Sequence, residues 1–152
     1  MHQSLSKTTA SATLHCLTGC AIGEILGMVI STSLNWSAIS SIVVSVGLAF
    51  LFGYGLSMRP ILKNGVSFKK AAQIALAADT ISIMVMELAD NGFILFVPGA
   101  ISAGLNTLLF WISLIFSLAI AYLVAFPVNR WLIGKGRGHA IAHSYHHSQG
   151  DH

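Results

Sequence analysis

Apolar residues along the 152-residue chain gather into four long runs separated by short polar stretches. By pattern, the runs cover about 12–34, 36–56, 71–89 and 99–126. Each is close to or above the roughly 20 residues that a helix needs to cross a bilayer. Lipid offers the backbone no hydrogen bonds, so spans of this length are expected to be helical. The alternating pattern of a membrane barrel strand is missing from the sequence. The predicted fold is therefore all-α, a polytopic four-transmembrane-helix bundle. Asn35 alone separates the first two runs, which predicts a tight helical hairpin. Pro98-Gly99 is expected to open the fourth helix and Pro127 to close it.

Composition agrees with this pattern. The chain is 55% hydrophobic and 9% charged, with a mean hydropathy of +0.76. Soluble domains carry about 25% charged residues. One transmembrane domain over 1–138 and a His-rich tail over 139–152 account for the whole length. The small-residue stretch Ala10-Ser11-Ala12 precedes the first apolar run, so that run does not read as a cleaved signal peptide and is expected to stay.

Charge supplies an orientation. Lys7 precedes the first run; Arg59, Lys63, Lys69 and Lys70 lie between the second and third; Arg130, Lys135 and Arg137 follow the fourth. These are all eight basic residues, and the other two connections have none. An even number of helices puts the three basic segments on one face, which the positive-inside rule makes cytoplasmic. Both termini are expected there, in a bacterial inner membrane. The net charge of +3 thus reflects topology and gives no support to a nucleic-acid partner; the bilayer is the expected surroundings.

Reading the helices by face separates packing from chemistry. Cys16, Cys20, Glu24 and Met28 are spaced by four on the first helix, with Gly19, Gly23 and Gly27 in a parallel row. A small-xxx-small row lets a neighbouring helix approach closely. It is also a candidate interface for a dimer or trimer. On the third helix Asp79, Ser82, Met86 and Asp90 share a face, with Glu87 on its shoulder. Ser37, Ser41 and Ser45 line one side of the second helix, and Gly99, Ser102, Asn106, Ser113 and Ser117 line one side of the fourth.

The carboxylates are the least expected feature. Four of the five acids, Glu24, Asp79, Glu87 and Asp90, fall in or beside apolar runs. A charge at the bilayer centre costs roughly 2.5–3.5 kcal/mol on insertion scales. None of the four runs contains Lys or Arg, so a carboxylate such as Glu24 meets no cation from the chain at its own depth. Either it carries a proton or a cation neutralises it.

Sulfur and imidazole suggest one such cation. Cys16 and Cys20 stand one turn apart on the half of the first helix expected to face a reducing cytoplasm, where a structural disulfide is not expected. Thiolate and thioether ligands suit copper(I), and mixed sulfur and imidazole suits zinc or copper. Cysteine also serves as a small apolar packing residue. The tail adds His139, His143, His146, His147 and His152, a tract of the kind that collects metal or responds to pH. "GKGRGH" lacks the spacing of a phosphate loop.

Two segments, "HCLTGCAIGE" (15–24) and "PVNRWLIGKGRGHA" (127–140), resemble a bacterial family of small four-helix membrane proteins labelled only as a domain of unknown function. The resemblance covers nearly the whole chain. It implies the four-helix fold and carries no activity. His15, Cys16, Cys20 and Glu24 match its first motif and His139 closes the second; the later histidines lie outside both.

Three functions follow as expectations. The first is binding or transport of a soft cation, copper or zinc. Its ligands would be drawn from His15, Cys16, Cys20, Glu24, Met28, Asp79, Met86, His139 and His143. The second is movement of a proton or other cation along Glu24, Asp79, Glu87, Asp90 and Asn106. The third is a structural or assembly subunit of a larger membrane complex. No enzyme is expected: no side chains form a nucleophile–base–orienter pattern, and a thiol oxidoreductase prefers Cys-x-x-Cys to the Cys-x-x-x-Cys found here.

Overall fold

The computed structural model describes residues 2–135. It contains four helices, α1 (His2–Ser33), α2 (Ala38–Lys63), α3 (Phe68–Phe96) and α4 (Leu108–Gly134), and no strand among the described residues. All four are long and apolar enough to cross a membrane. At about 1.5 Å per residue the shortest reaches about 39 Å, beyond the roughly 30 Å hydrocarbon core. The projecting turns explain why the helices outrun the apolar runs.

The observed boundaries correct the expected ones in four places. First, α1 begins at His2, ten residues before the apolar run. Within this extension and just past it, threonine hydroxyls are satisfied by carbonyls one turn back, Thr9 Oγ1 donating to Leu5 O at 2.8 Å and Thr13 Oγ1 to Thr9 O at 2.7 Å. Second, α2 continues through Pro60 to Lys63, so Arg59 and Lys63 are helical and not in a connection. Membrane helices tolerate such a proline because one lost N–H can be offset by neighbouring packing. Ser57, Met58 and Ile61 on that extension are buried, and Met58 and Ile61 pack on Ala71, Ile74 and Ala75 of α3.

Third, Pro98-Gly99 does not open a helix. Val97 to Ala100 is a turn closed by Ala100 N–H donating to Val97 O at 3.1 Å, with Gly99 at φ +79°. Proline then glycine at the centre, the glycine at positive φ, is the signature of a type II turn. The helix starts instead at Leu108, capped by Thr107, whose hydroxyl accepts from Phe110 N–H at 3.3 Å. Nor does Pro127 close it: α4 runs through to Gly134.

The helices contact one another in chain order, α4 returns to α1, and α1 also meets α3 across the middle; the α1–α2 contact is the most extensive. Because α1 and α3 run in the same direction, every described Lys and Arg lies towards one end of the bundle, here the basic end. Large apolar side chains such as Ile39, Val43, Leu88, Ile115 and Leu123 cover the outside. One buried cluster joins Cys16, Cys20, Ala49, Ile83, Met86, Ala121 and Ala125 at mid-bundle.

Polar contacts tie α1 to α4 at the basic end. Asn129 Nδ2 donates to Thr13 Oγ1 at 3.0 Å in a buried bond, and Arg130 reaches Ser6 Oγ at 3.3 Å. Side-chain bonds between membrane helices contribute about 0.5–1.5 kcal/mol. Asn129→Ala is therefore expected to lower stability by about that amount, read as an earlier denaturant midpoint for the detergent-solubilised protein.

Candidate cation site

Helical spacing on α1 sets two rows beside each other, and the structure gives each a different neighbour. The glycine row meets α2. A Cβ added at Gly23 would stand 2.3 Å from Ala49 N, one at Gly19 2.7 Å from Gly53 Cα, and one at Gly27 2.1 Å from Ser45 Oγ. The complementary row Ser45, Ala49 and Gly53 is itself spaced by four. Within one chain α2 covers this surface, so it is not left open for a second copy.

The other row faces α3. Cys16 Sγ lies 4.0 Å from Asp79 Oδ1, Cys20 stands beside the Glu87 carboxyl, and Glu24 stands beside the Asp90 carboxyl. The three pairs lie at successive depths, from mid-bundle towards the end away from the basic residues. All six side chains are buried. Asn91 Nδ2 donates to Glu87 Oε2 at 3.2 Å and to its backbone carbonyl at 3.0 Å. Glu24 and Asp90 differ: all four of their carboxylate oxygens are buried without a hydrogen-bond partner.

These two acids line a cavity of about 70 Å³ between the helix ends. Its polar wall adds Ser41, Ser45, Asn91 and Ser113. Its apolar wall includes Met28, Ile42, Ile94 and Phe110, with Ala100 and Ile101 from the turn region before α4. Glu24 is nine residues from the end of α1, about 13 Å along the axis, whereas Lys7 is about 25 Å away in the other direction. A lysine side chain cannot bridge that distance.

The expected site residues fall into distinct places. His15 is exposed and does not join Cys16 and Cys20, because neighbouring helix positions point about 100° apart. Met86 is buried in the same cluster as the two free cysteines. Met28 is half-buried at the cavity. Asn106 is corrected: it is exposed in the connection before α4, because that helix starts later than its apolar run suggested. His139 and His143 lie outside the described residues. Among the described residues no group of three or more His, Cys, Asp and Glu side chains is placed to hold a metal ion.

Asn91 and the Thr13–Asn129 bond escape a face-by-face reading. Asn91 follows Asp90 directly and looks like helix-end polarity. Asn129 follows Pro127, where the apolar pattern had already ended. A polar residue two positions beyond a tolerated proline would have been the available signal.

Four apolar helices around a buried line of acids and thiols define a multi-pass integral membrane protein. Within that class, the chain belongs to the family described as Domain of unknown function (DUF4396), whose model matches residues 6–138. No curated protein and no solved structure matches it.

Proposed function

We propose that this protein handles a cation in the membrane, with the Glu24–Asp90 pair holding a proton or a cation exchanged for it. The carrying observation is the pair itself: two buried carboxyls side by side at the wall of a cavity, with no donor to them from any other described residue. Two full charges about 4 Å apart repel by on the order of 4 kcal/mol at an effective dielectric of 20. At least one positive charge therefore accompanies the pair.

Glu87 beside Cys20 and Asp79 beside Cys16 continue the line of ionisable groups inward, the succession of depths that a pathway requires. If the basic end is cytoplasmic, as the positive-inside rule directs, both described helix-bundle termini face inward in a bacterial inner membrane and the cavity faces outward.

One observation favours a second reading, soft-metal binding: Cys16, Cys20 and Met86 share one buried cluster. Copper(I) would suit three such sulfurs. The two readings part in one experiment on purified full-length protein in liposomes enclosing a pH-sensitive dye. Cys16→Ser with Cys20→Ser is expected to keep the proton flux within about twofold, because the thiols flank the acids and do not replace them. Loss of flux in that variant, with copper or zinc bound to the parent protein, would move the assignment to the sulfur cluster. Flux no greater than in empty liposomes would remove the proton reading.

A further inference from the structure

We infer that the cavity at the far end is a binding site for a small organic cation, an ammonium or guanidinium group on a short apolar body. The inference rests on the reading of Glu24 and Asp90 as a cation-holding pair and names the class of ligand.

Two independent features meet here. Glu24 is 9% exposed and Asp90 1% exposed, both residues line the cavity, and no neighbouring N–H or hydroxyl donates to any of their four carboxylate oxygens. That supplies the charge. The rest of the lining supplies the body: Met28, Ile42, Ile94, Phe110 and Leu114 make most of the wall apolar.

An inorganic ion fits this lining poorly. A hard cation takes a shell of six or more oxygens, and no cluster of three or more acids, thiols or imidazoles among the described residues is built to hold a metal. A hydrated ion would leave its water against the apolar wall. An alkylammonium satisfies both halves, with its N–H groups donating to the carboxylates and its carbons shielding apolar surface at about 25 cal/mol per Å². Phe110 adds an aromatic side chain to the lining, a residue type that attracts cations. The volume of about 70 Å³ holds about five water-sized spheres, the scale of an amine with a few heavy atoms.

The groups facing the pair are few. Glu87 and Asn91 come from α3, Cys20 from α1, Ser41 and Ser45 from α2, and Ser113 from α4. No lysine or arginine of the described residues lies at this end. A ligand cation thus has no lysine or arginine competitor among the described residues.

The test is calorimetric titration of the purified full-length protein, at mildly alkaline pH, with propylammonium, with n-propanol as its uncharged counterpart, and with sodium. Propylammonium is expected to saturate, with propanol at least about tenfold weaker, since the charged hydrogen bonds are lost. Asp90→Asn is expected to weaken propylammonium by about tenfold or more. Ser41→Leu, which fills the cavity from a half-buried position and leaves both acids in place, is expected to abolish it; unchanged gel-filtration behaviour shows that the variant is folded. Equal binding of propanol, or propylammonium binding untouched by both variants, overturns the inference. Saturable sodium without propylammonium overturns the organic class while leaving the carboxylate pair as a cation holder. Proton flux with no binding of any probe does the same.

Discussion

Replacing Glu24 with glutamine is expected to abolish proton flux through reconstituted protein, a fall of at least about tenfold towards the level of empty liposomes. Glutamine keeps the shape and hydrogen-bonding capacity of the side chain but cannot release a proton. Asp90→Asn is expected to do the same, because the two carboxyls share one environment. The direction of the stability change separates a functional acid from a structural one. No neighbouring N–H or hydroxyl donates to Glu24, and a glutamine amide can donate to Asp90 in place of a proton held by the pair. The neutral variant is therefore expected to unfold at the same or a higher denaturant concentration. A Glu24→Gln protein that moves protons like the parent would end the proposal. One that loses both flux and stability would recast Glu24 as a packing residue.

The second large effect concerns Gly23. An alanine Cβ there would lie 2.3 Å from Ala49 N and 2.5 Å from Ala49 Cα. Both are backbone atoms and cannot rotate away, so α1 and α2 must separate along their most extensive contact. Overpacking of this kind costs about 1–3 kcal/mol, occasionally more. Gly23→Ala is expected to fall at the upper end of that range, and Gly23→Leu is expected to prevent stable folding. Gly47 supplies the contrast, since nothing lies within 4 Å of its added Cβ. Gly47→Ala is expected to be neutral or slightly stabilising, because alanine favours helix by up to about 1 kcal/mol over glycine. Denaturant midpoints for the two alanine variants, measured in one detergent, check the pair. Equal midpoints would mean that the interface yields more easily than its geometry indicates.

Legibility followed the range over which each feature is decided. The four apolar runs were visible, while several helix ends were not. Apolarity marks what meets lipid, but helix limits depend on caps and turns. Thr107 starts α4, and the Val97–Ala100 turn keeps Pro98-Gly99 out of it. The same misreading placed Asn106 on a helix face and in a pathway, when it lies exposed in the connection. The spacing of four through Cys16, Cys20 and Glu24 did identify a face turned away from lipid. Helix geometry also turns His15 about 100° away from Cys16, and its exposure in the fold agrees.

By itself, the sequence determined an all-helical membrane architecture, the separation of basic residues to one end, and the presence of acids at depths where the chain offers Glu24 no cation. Those follow from length, hydropathy and charge, which add up locally and need no knowledge of neighbours. Only the tertiary structure decided that Glu24 meets Asp90 at a cavity, that Cys16 and Cys20 stand beside Asp79 and Glu87, and that the glycine row is covered by Ser45, Ala49 and Gly53. The physical reason is that a helical face specifies what it can tolerate as a neighbour, while the crossing of four helices selects which face it receives.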